Sequence, residues 1–306
     1  IAHLSILKFG ARALRGDMKS VKALQELLPV LGGEKIPATL RAKANAYIAI
    51  GLKHNAEREA STEAYLRALE HIERAGLDAE LPLYLLNVGT AYHSQGKLGL
   101  AREYYARGMR IAQETTRPTT RLLLLSNSAA IDVLLGRFDE SSALLERALE
   151  IARAHDLRSH ELMTIAYQAS LAAMRGAHED AIALLEKCFA MGGAPPPSAH
   201  ADLLLTMAEA RLSLDDLAMA SAQLDEASEL IEAHALASLQ DQHDILEAML
   251  GWREGGALEV MTGIEKFRKA LHHALESTNH RLVLKYSPVL FERVQQESLD
   301  ELAEEI

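Results

Sequence analysis

An internal repeat of about 40 residues constrains this chain more than any other feature of its sequence. The segments STEAYLRALEHIE, AREYYARGMRIAQ, SSALLERALEIAR, AIALLEKCFAMGG and ASAQLDEASELIE align into three columns. The first holds Ser61, Ala101, Ser141, Ala181 and Ala220. Four residues on stand Tyr65, Tyr105, Leu145, Leu185 and Leu224, and three further on Ala68, Gly108, Ala148, Cys188 and Ala227. Successive units are 40, 40, 40 and 39 residues apart. Upstream, Gly96, Gly136 and Gly176 keep the step, with Asp215 in the next slot, and a column of small residues runs through Ala49, Gly89, Ala129, Ala169 and Ala208.

Small, large and small residues at i, i+4 and i+7 lie on one helix face. The small ones admit a neighbouring helix and the large one fills the groove between the two. The glycines fall where one helix must stop and reverse, because glycine takes the left-handed C-cap conformation without a Cβ clash. Acidic residues in the restarts RFDE and AHED favour a helix N-terminus. Each unit therefore reads as an antiparallel pair, helix A then helix B. The expected units are 3–35, 38–76, 80–115, 119–156, 159–192, 198–235 and 238–277, with a last helix at 281–296. The first and seventh units are diverged, and a turn is expected near Gly255-Gly256. Gly192 to Pro197 reads as an extended loop between units, since a proline run cannot sit inside a helix. The fold class that follows is all-α: a right-handed α-solenoid of about seven helix pairs plus a C-terminal helix, one domain over 1–306. Because it opens on Ile1, the chain is expected to be a piece of a longer protein.

Composition narrows function. With 43 Asp and Glu against 32 Lys and Arg, the formal charge is −11, a field that repels nucleic-acid backbones. One cysteine excludes an internal disulfide framework and an all-cysteine zinc site, and fits a reducing, cytoplasmic setting. No apolar run approaches a membrane span, and the start lacks the layout of a signal peptide.

The unit YLLNVGTAYHSQGKLGLAREYYARGM resembles a tetratricopeptide repeat, through Val88-Gly89, Tyr92, Gly96, Ala101, Tyr105 and Gly108. The early Trp and the terminal Pro of that pattern are missing, and the step exceeds the family's usual period of about 34 residues. The resemblance spans roughly residues 38–275. It implies a binding scaffold, similar to the long-period repeats of multidomain bacterial transcriptional and signalling regulators, in which a helical array senses a peptide, protein or small ligand.

Candidate chemistry is sparse. GTAYHSQGK (Gly89 to Lys97) has six residues between its glycines and Leu98 after its lysine, which is not a phosphate-binding loop. Thirteen histidines include no HExxH pattern, and His272 and His273 point to different faces of a helix. Three others, His54, His155 and His234, fall near expected helix ends. Cys188 sits in a small-residue column, where burial is expected and a reactive thiolate is not. Glu297 to Glu304 reads as a solvated terminus. No acid, base and nucleophile converge, so neither catalysis nor a cofactor or metal is expected.

In such arrays the A helices line the concave side, forming an extended groove. The register two before the small-residue column holds Tyr47, Asn87, Asn127, Tyr167 and Thr206. In peptide-binding members of the family that the repeats resemble, an Asn in this slot holds the ligand's backbone. A primary amide both donates to and accepts from a peptide bond, and mid-helix Asn is unfavourable enough to need a reason. The alternative is a hydrogen bond between helices. Neighbouring groove positions include Lys43, Lys53, His93 and Glu209, positive in the early units and negative in the later ones, around an apolar middle. The expected partner is a protein segment of mixed polarity. The alternative reading is a scaffold without a ligand, self-associating through its terminal units.

Overall fold

A computed structural model of the protein describes residues 2–30, 36–55, 57–112, 117–191, 196–255, 257–277 and 279–296. Among the described residues there are 15 helices and no strand. They are α1 Ala2–Ala13, α2 Met18–Val30, α3 Ala38–His54, α4 Arg58–Arg74, α5 Leu81–Ser94, α6 Leu98–Ile111, α7 Pro118–Leu134 and α8 Phe138–Ala154. The remainder are α9 Arg158–Met174, α10 His178–Ala190, α11 Pro197–Ser213, α12 Leu217–Ala233, α13 Ala237–Glu254, α14 Ala257–Glu276 and α15 His280–Gln296. Each falls within a few residues of a helix expected from the repeat, so the chain is all-α and built of consecutive helical hairpins. Pro197 opens α11, while Gly192 to Pro195, Gly256 and Glu297 to Glu304 lie outside the described residues. No helix among those described is long and apolar enough to cross a membrane.

The hairpin turns show why the glycine column exists. Gly96, Gly136 and Gly176 have φ of +69°, +70° and +78°, and Asp215 takes +58° in the next slot. At each, two backbone bonds close the helix end. Gly96 N–H donates to His93 O at 3.0 Å and Lys97 N–H to Tyr92 O at 3.0 Å, which satisfies carbonyls the helix itself leaves open. The same pair of bonds recurs at Asp215 and Asp216, to Leu212 and Arg211. The acidic restarts act differently from a side-chain cap. None of α6, α8, α10 and α12 has a side-chain hydrogen bond at its N-cap, which leaves Asp139, Glu140, Glu179 and Asp180 in the first turn to act through the helix dipole.

The chain divides into two compact units, residues 1–131 and 132–306, with the division in the last turn of α7. In the first unit Ile6, Leu24, Ile48, Ile72 and Leu85 are buried in one cluster, and Leu86, Ala101, Tyr105, Leu124 and Ile131 in a second. In the second unit one cluster gathers Ile165, Ala169, Leu185, Cys188, Leu203 and Met207. Another centres on Trp252 stacked on Phe267 (centroids 5.2 Å apart), with Tyr286 of α15 edge-on to Phe267 at 6.2 Å. Such aromatic pairs add about 0.5–1.5 kcal/mol beyond the area they bury.

Every large residue of the second repeat column is buried, and so is Cys188, whose Sγ lies 3.7 Å from Leu162 O. Burial pushes the Cys188 thiol up to about 11, so at neutral pH it is a protonated core thiol. His54 is the last residue of α3, and His155 and His234 cap α8 and α12, as the dipole argument expects.

Candidate functional site

In the first unit, the middle of α3, the start of α5 and the residue before α7 line a cavity of about 210 Å³. Its lining combines Lys43, Ala46, Tyr47 and Ile50 of α3, Glu80 to Asn87 at the start of α5, and Arg117. Within the α5 segment the lining residues are Glu80, Leu83, Tyr84 and Asn87. The helical repeat explains the convergence. Lys43 and Leu83 are equivalent positions one repeat apart, as are Tyr47 and Asn87, so adjacent A helices present the same registers to one hollow.

The cavity has an apolar floor of Ala46, Ile50 and Leu83 under a polar rim. Lys43, Glu80 and Arg117 are exposed charges, and Tyr47 and Asn87 are half-buried. Burial pushes the Tyr84 phenol up to about 12, with Glu80 and Tyr47 adding to the effect. Its hydroxyl is therefore protonated and available to donate. Tyr47 is held from behind: a Cβ on Gly10 of α1 would stand 2.3 Å from Tyr47 Cδ2. The ring packs closely against α1 at Gly10, and Tyr47 also lines the cavity.

The sequence-expected site residues divide into three groups. Lys43, Tyr47 and Asn87 come together in this cavity. Asn127 of α7 sits further along the A helices, where its Nδ2 donates to Thr90 Oγ1 at 3.4 Å. Thr90 also accepts from Tyr105 Oη at 3.2 Å and donates to Leu86 O at 2.9 Å, so Asn127 is tied to the core through a hydroxyl relay. Lys53 is exposed and His93 half-buried in the last turns of α3 and α5, and neither lines the cavity.

The third group belongs to the second unit. Tyr167 is half-buried on α9. Glu209 of α11 is engaged by Lys285 Nζ of α15 at 2.5 Å, with side-chain exposures of 16% and 21%. That degree of burial makes the pair a structural tie of α15 to α11, stronger than an exposed pair.

Sequence reasoning missed Glu80, Tyr84 and Arg117. Glu80 and Arg117 immediately precede α5 and α7, and Tyr84 lies one turn before Asn87 in a column that Ala44 and Leu124 fill elsewhere, so no repeat column singled them out. A second hollow, of about 560 Å³, lies in the second unit on the side of the B helices α8 and α10, floored by α9 residues Gln168, Leu171 and Ala172. It contains none of the expected site residues, and its Arg175 already pairs with Asp139 at 2.5 Å.

One trio among the described residues has donors close enough for a metal: His243, Asp244 and Glu247 on α13. The group is already internally satisfied. His243 Nδ1 lies 3.3 Å from Asp244 Oδ1, Gln240 Nε2 donates to Asp244 at 2.8 Å, and Lys266 Nζ meets Glu247 at 2.5 Å. Lys266 supplies the positive charge that a cation would otherwise bring, so the trio reads as a polar brace between α13 and α14.

The chain is similar in structure to a Rap protein complexed with competence and sporulation factor, at 13% identity and a TM-score of 0.68, over 99% of this chain and 87% of that one. It is also similar to NprR in complex with its cognate peptide NprX, at 14% identity and a TM-score of 0.63, over 93% and 87%. A third similar structure is that of the putative kinesin light chain TPR-like repeats of Podosopora anserina, at 16% identity and a TM-score of 0.51, over 62% and 92%. No family model matches the sequence, and no curated protein matches it significantly. At these identities the likeness carries the fold, that of tetratricopeptide-type helical repeats.

Proposed function

We propose that this chain is a non-catalytic, peptide-binding module of the tetratricopeptide type, serving as the regulatory part of a cytoplasmic bacterial transcriptional or signalling regulator. The observation that carries the reading is the convergence of Lys43, Tyr47 and Asn87, with Tyr84 and Arg117, around one hollow on the A-helix face of the first unit. Asn87 makes no side-chain hydrogen bond to any described residue, so the helix-propensity cost of an asparagine there is not recovered among them. Two of the structural neighbours are a Rap protein complexed with competence and sporulation factor and NprR in complex with its cognate peptide NprX, which supports a peptide as the ligand class.

In this reading an extended segment lies along the A helices. Asn87 pairs with its backbone, one apolar side chain enters the hollow over Ile50 and Leu83, and Lys43, Arg117 and Glu80 read flanking charges of either sign. Asn127 carries the register of Asn87 into the next repeat of the first unit, and Lys53 and His93 share a second register six residues further along α3 and α5. Binding selects among arrangements of the hairpins and so passes a signal to attached machinery.

The test uses peptides selected on the protein from a random display library. The double variant Asn87→Ala/Asn127→Ala is expected to bind them about tenfold or more weakly, at about 1 kcal/mol for each hydrogen bond lost. Helicity should stay unchanged, and the melting temperature should be kept by the single variant Asn87→Ala, since only Asn127 is bonded within the protein fold, to Thr90. Unaltered affinity would reject the groove assignment.

A further inference from the structure

The first helix carries a second apolar face that nothing described covers. Ile6, Gly10 and Ala13 of α1 are buried against the hairpins that follow. On its other side Leu4, Leu7 and Leu14 are 71%, 43% and 41% exposed. Leu14 continues the helix, its N–H donating to Gly10 O at 3.0 Å. At helical spacing Leu4, Leu7, Ala11 and Leu14 fall within about 80° of arc, a continuous stripe. Lys8, Arg12 and Arg15 flank it, all exposed. None of the three pairs with a carboxylate at ion-pair distance among the described residues, although Arg12 is near enough to Asp17 to help lower its pKa. The helix itself contains no acidic residue.

The same sequence contains a segment of complementary character. Residues 297–306 read ESLDELAEEI, with five carboxylates and no cation. Leu299, Leu302, Ala303 and Ile306 recur at i, i+3, i+4 and i+7, the spacing of an amphipathic helix. An apolar stripe edged by three cations thus has a counterpart in an apolar stripe edged by acids. A second copy can bring that segment to α1 whatever the arrangement within one chain.

We propose that α1 docks the acidic segment 297–306 of a second copy of this chain, in a head-to-tail contact of leucines under a rim of Lys8, Arg12 and Arg15. The contact does not depend on the peptide site, which lies on other helices. Being charge-steered and open to solvent at its rim, it weakens as salt rises.

Sedimentation velocity of the full chain across a concentration series tests the contact. The expected result is a weight-average mass that rises with concentration, and less so in high salt. Arg12→Glu/Arg15→Glu should abolish the rise, and so should Glu301→Lys/Glu304→Lys/Glu305→Lys. Mixing those two variants should restore association, because the exchanged charges again match across the interface. All five positions are exposed or terminal, and circular dichroism confirms that each variant folds. A monomer at every concentration, association that survives removal of 297–306, or a mixture that stays monomeric would each overturn the proposal. So would a monomer that instead binds phosphatidylserine vesicles through Arg12 and Arg15, which would reassign the basic stripe to a lipid surface.

Discussion

Gly89 and Tyr105 show how a single missing side chain sets the spacing of two helices. Tyr105 is fully buried, and a Cβ on Gly89 would stand 2.4 Å from its ring. Alanine at a mid-helix glycine ordinarily gains about 1 kcal/mol from propensity. Here the ring is fixed by packing and by its bond to Thr90, and overpacking costs about 1–3 kcal/mol. Gly89→Ala is therefore expected to destabilise by a net ~1 kcal/mol or more, measured by urea unfolding of the variant. A stabilised variant would mean that the ring has room to move. This contact was legible beforehand, because Gly89 and Tyr105 occupy fixed columns of the repeat. The chemistry of the cavity was less so. Asn87 and Lys43 stood out by type and register, whereas Tyr84 sits in a position that elsewhere in the repeat is filled by Ala44 and Leu124, both plain core residues. Nothing in the spacing marks it as different. Glu209 was expected in the groove by register, but its engagement by Lys285 spans 76 positions and no local pattern announces it.

At the scale of the element, turn geometry is the regular feature, and its exceptions are informative. The turns from a B helix to the next A helix also need a left-handed residue, supplied by Gly76 at φ +61°, Asp156 at +52° and Ala235 at +51°. The glycine column reveals only turns within hairpins; the three left-handed residues described between hairpins are of three unrelated types, so they form no column. Alanine is the poorest of the three, since its Cβ crowds the following carbonyl. Ala235→Gly is expected to raise stability by about 0.5–1 kcal/mol, the relieved strain exceeding the added chain entropy of glycine. Thermal melting checks it, and a lowered midpoint would contradict it.

A second element-scale prediction concerns α13 and α14. His273 Nδ1 of α14 lies 2.6 Å from Asp241 Oδ1 of α13, whose side chain is 8% exposed. The hydrogen bond to Asp241, then its charge, raise the His273 pKa above the ordinary value near 6.5, with Glu276 and Asp244 contributing less. A raised folded-state pKa stabilises fully below the unfolded value and ceases to do so as pH rises through the folded value. The stability difference between the protein and His273→Gln should therefore be largest below pH about 6.5 and shrink toward alkaline pH. A difference independent of pH would leave the imidazole with no ionic role.

At the scale of the whole molecule, the fold was legible because one hairpin recurs, and each recurrence tests the reading of the others. Function is less legible for the same reason, since the columns that repeat are the packing columns, while in the proposed reading recognition falls to the registers that vary: Lys43 against Leu83, Tyr47 against Asn87 and Asn127. The most direct measurement of the peptide-binding account is hydrogen–deuterium exchange on the protein with and without a display-selected peptide. Protection is expected on α3 around residues 43–50 and on α5 around residues 80–87, with the B helices α4 and α6 unchanged. Protection confined to α4 and α6, or none at saturating peptide, would contradict the account.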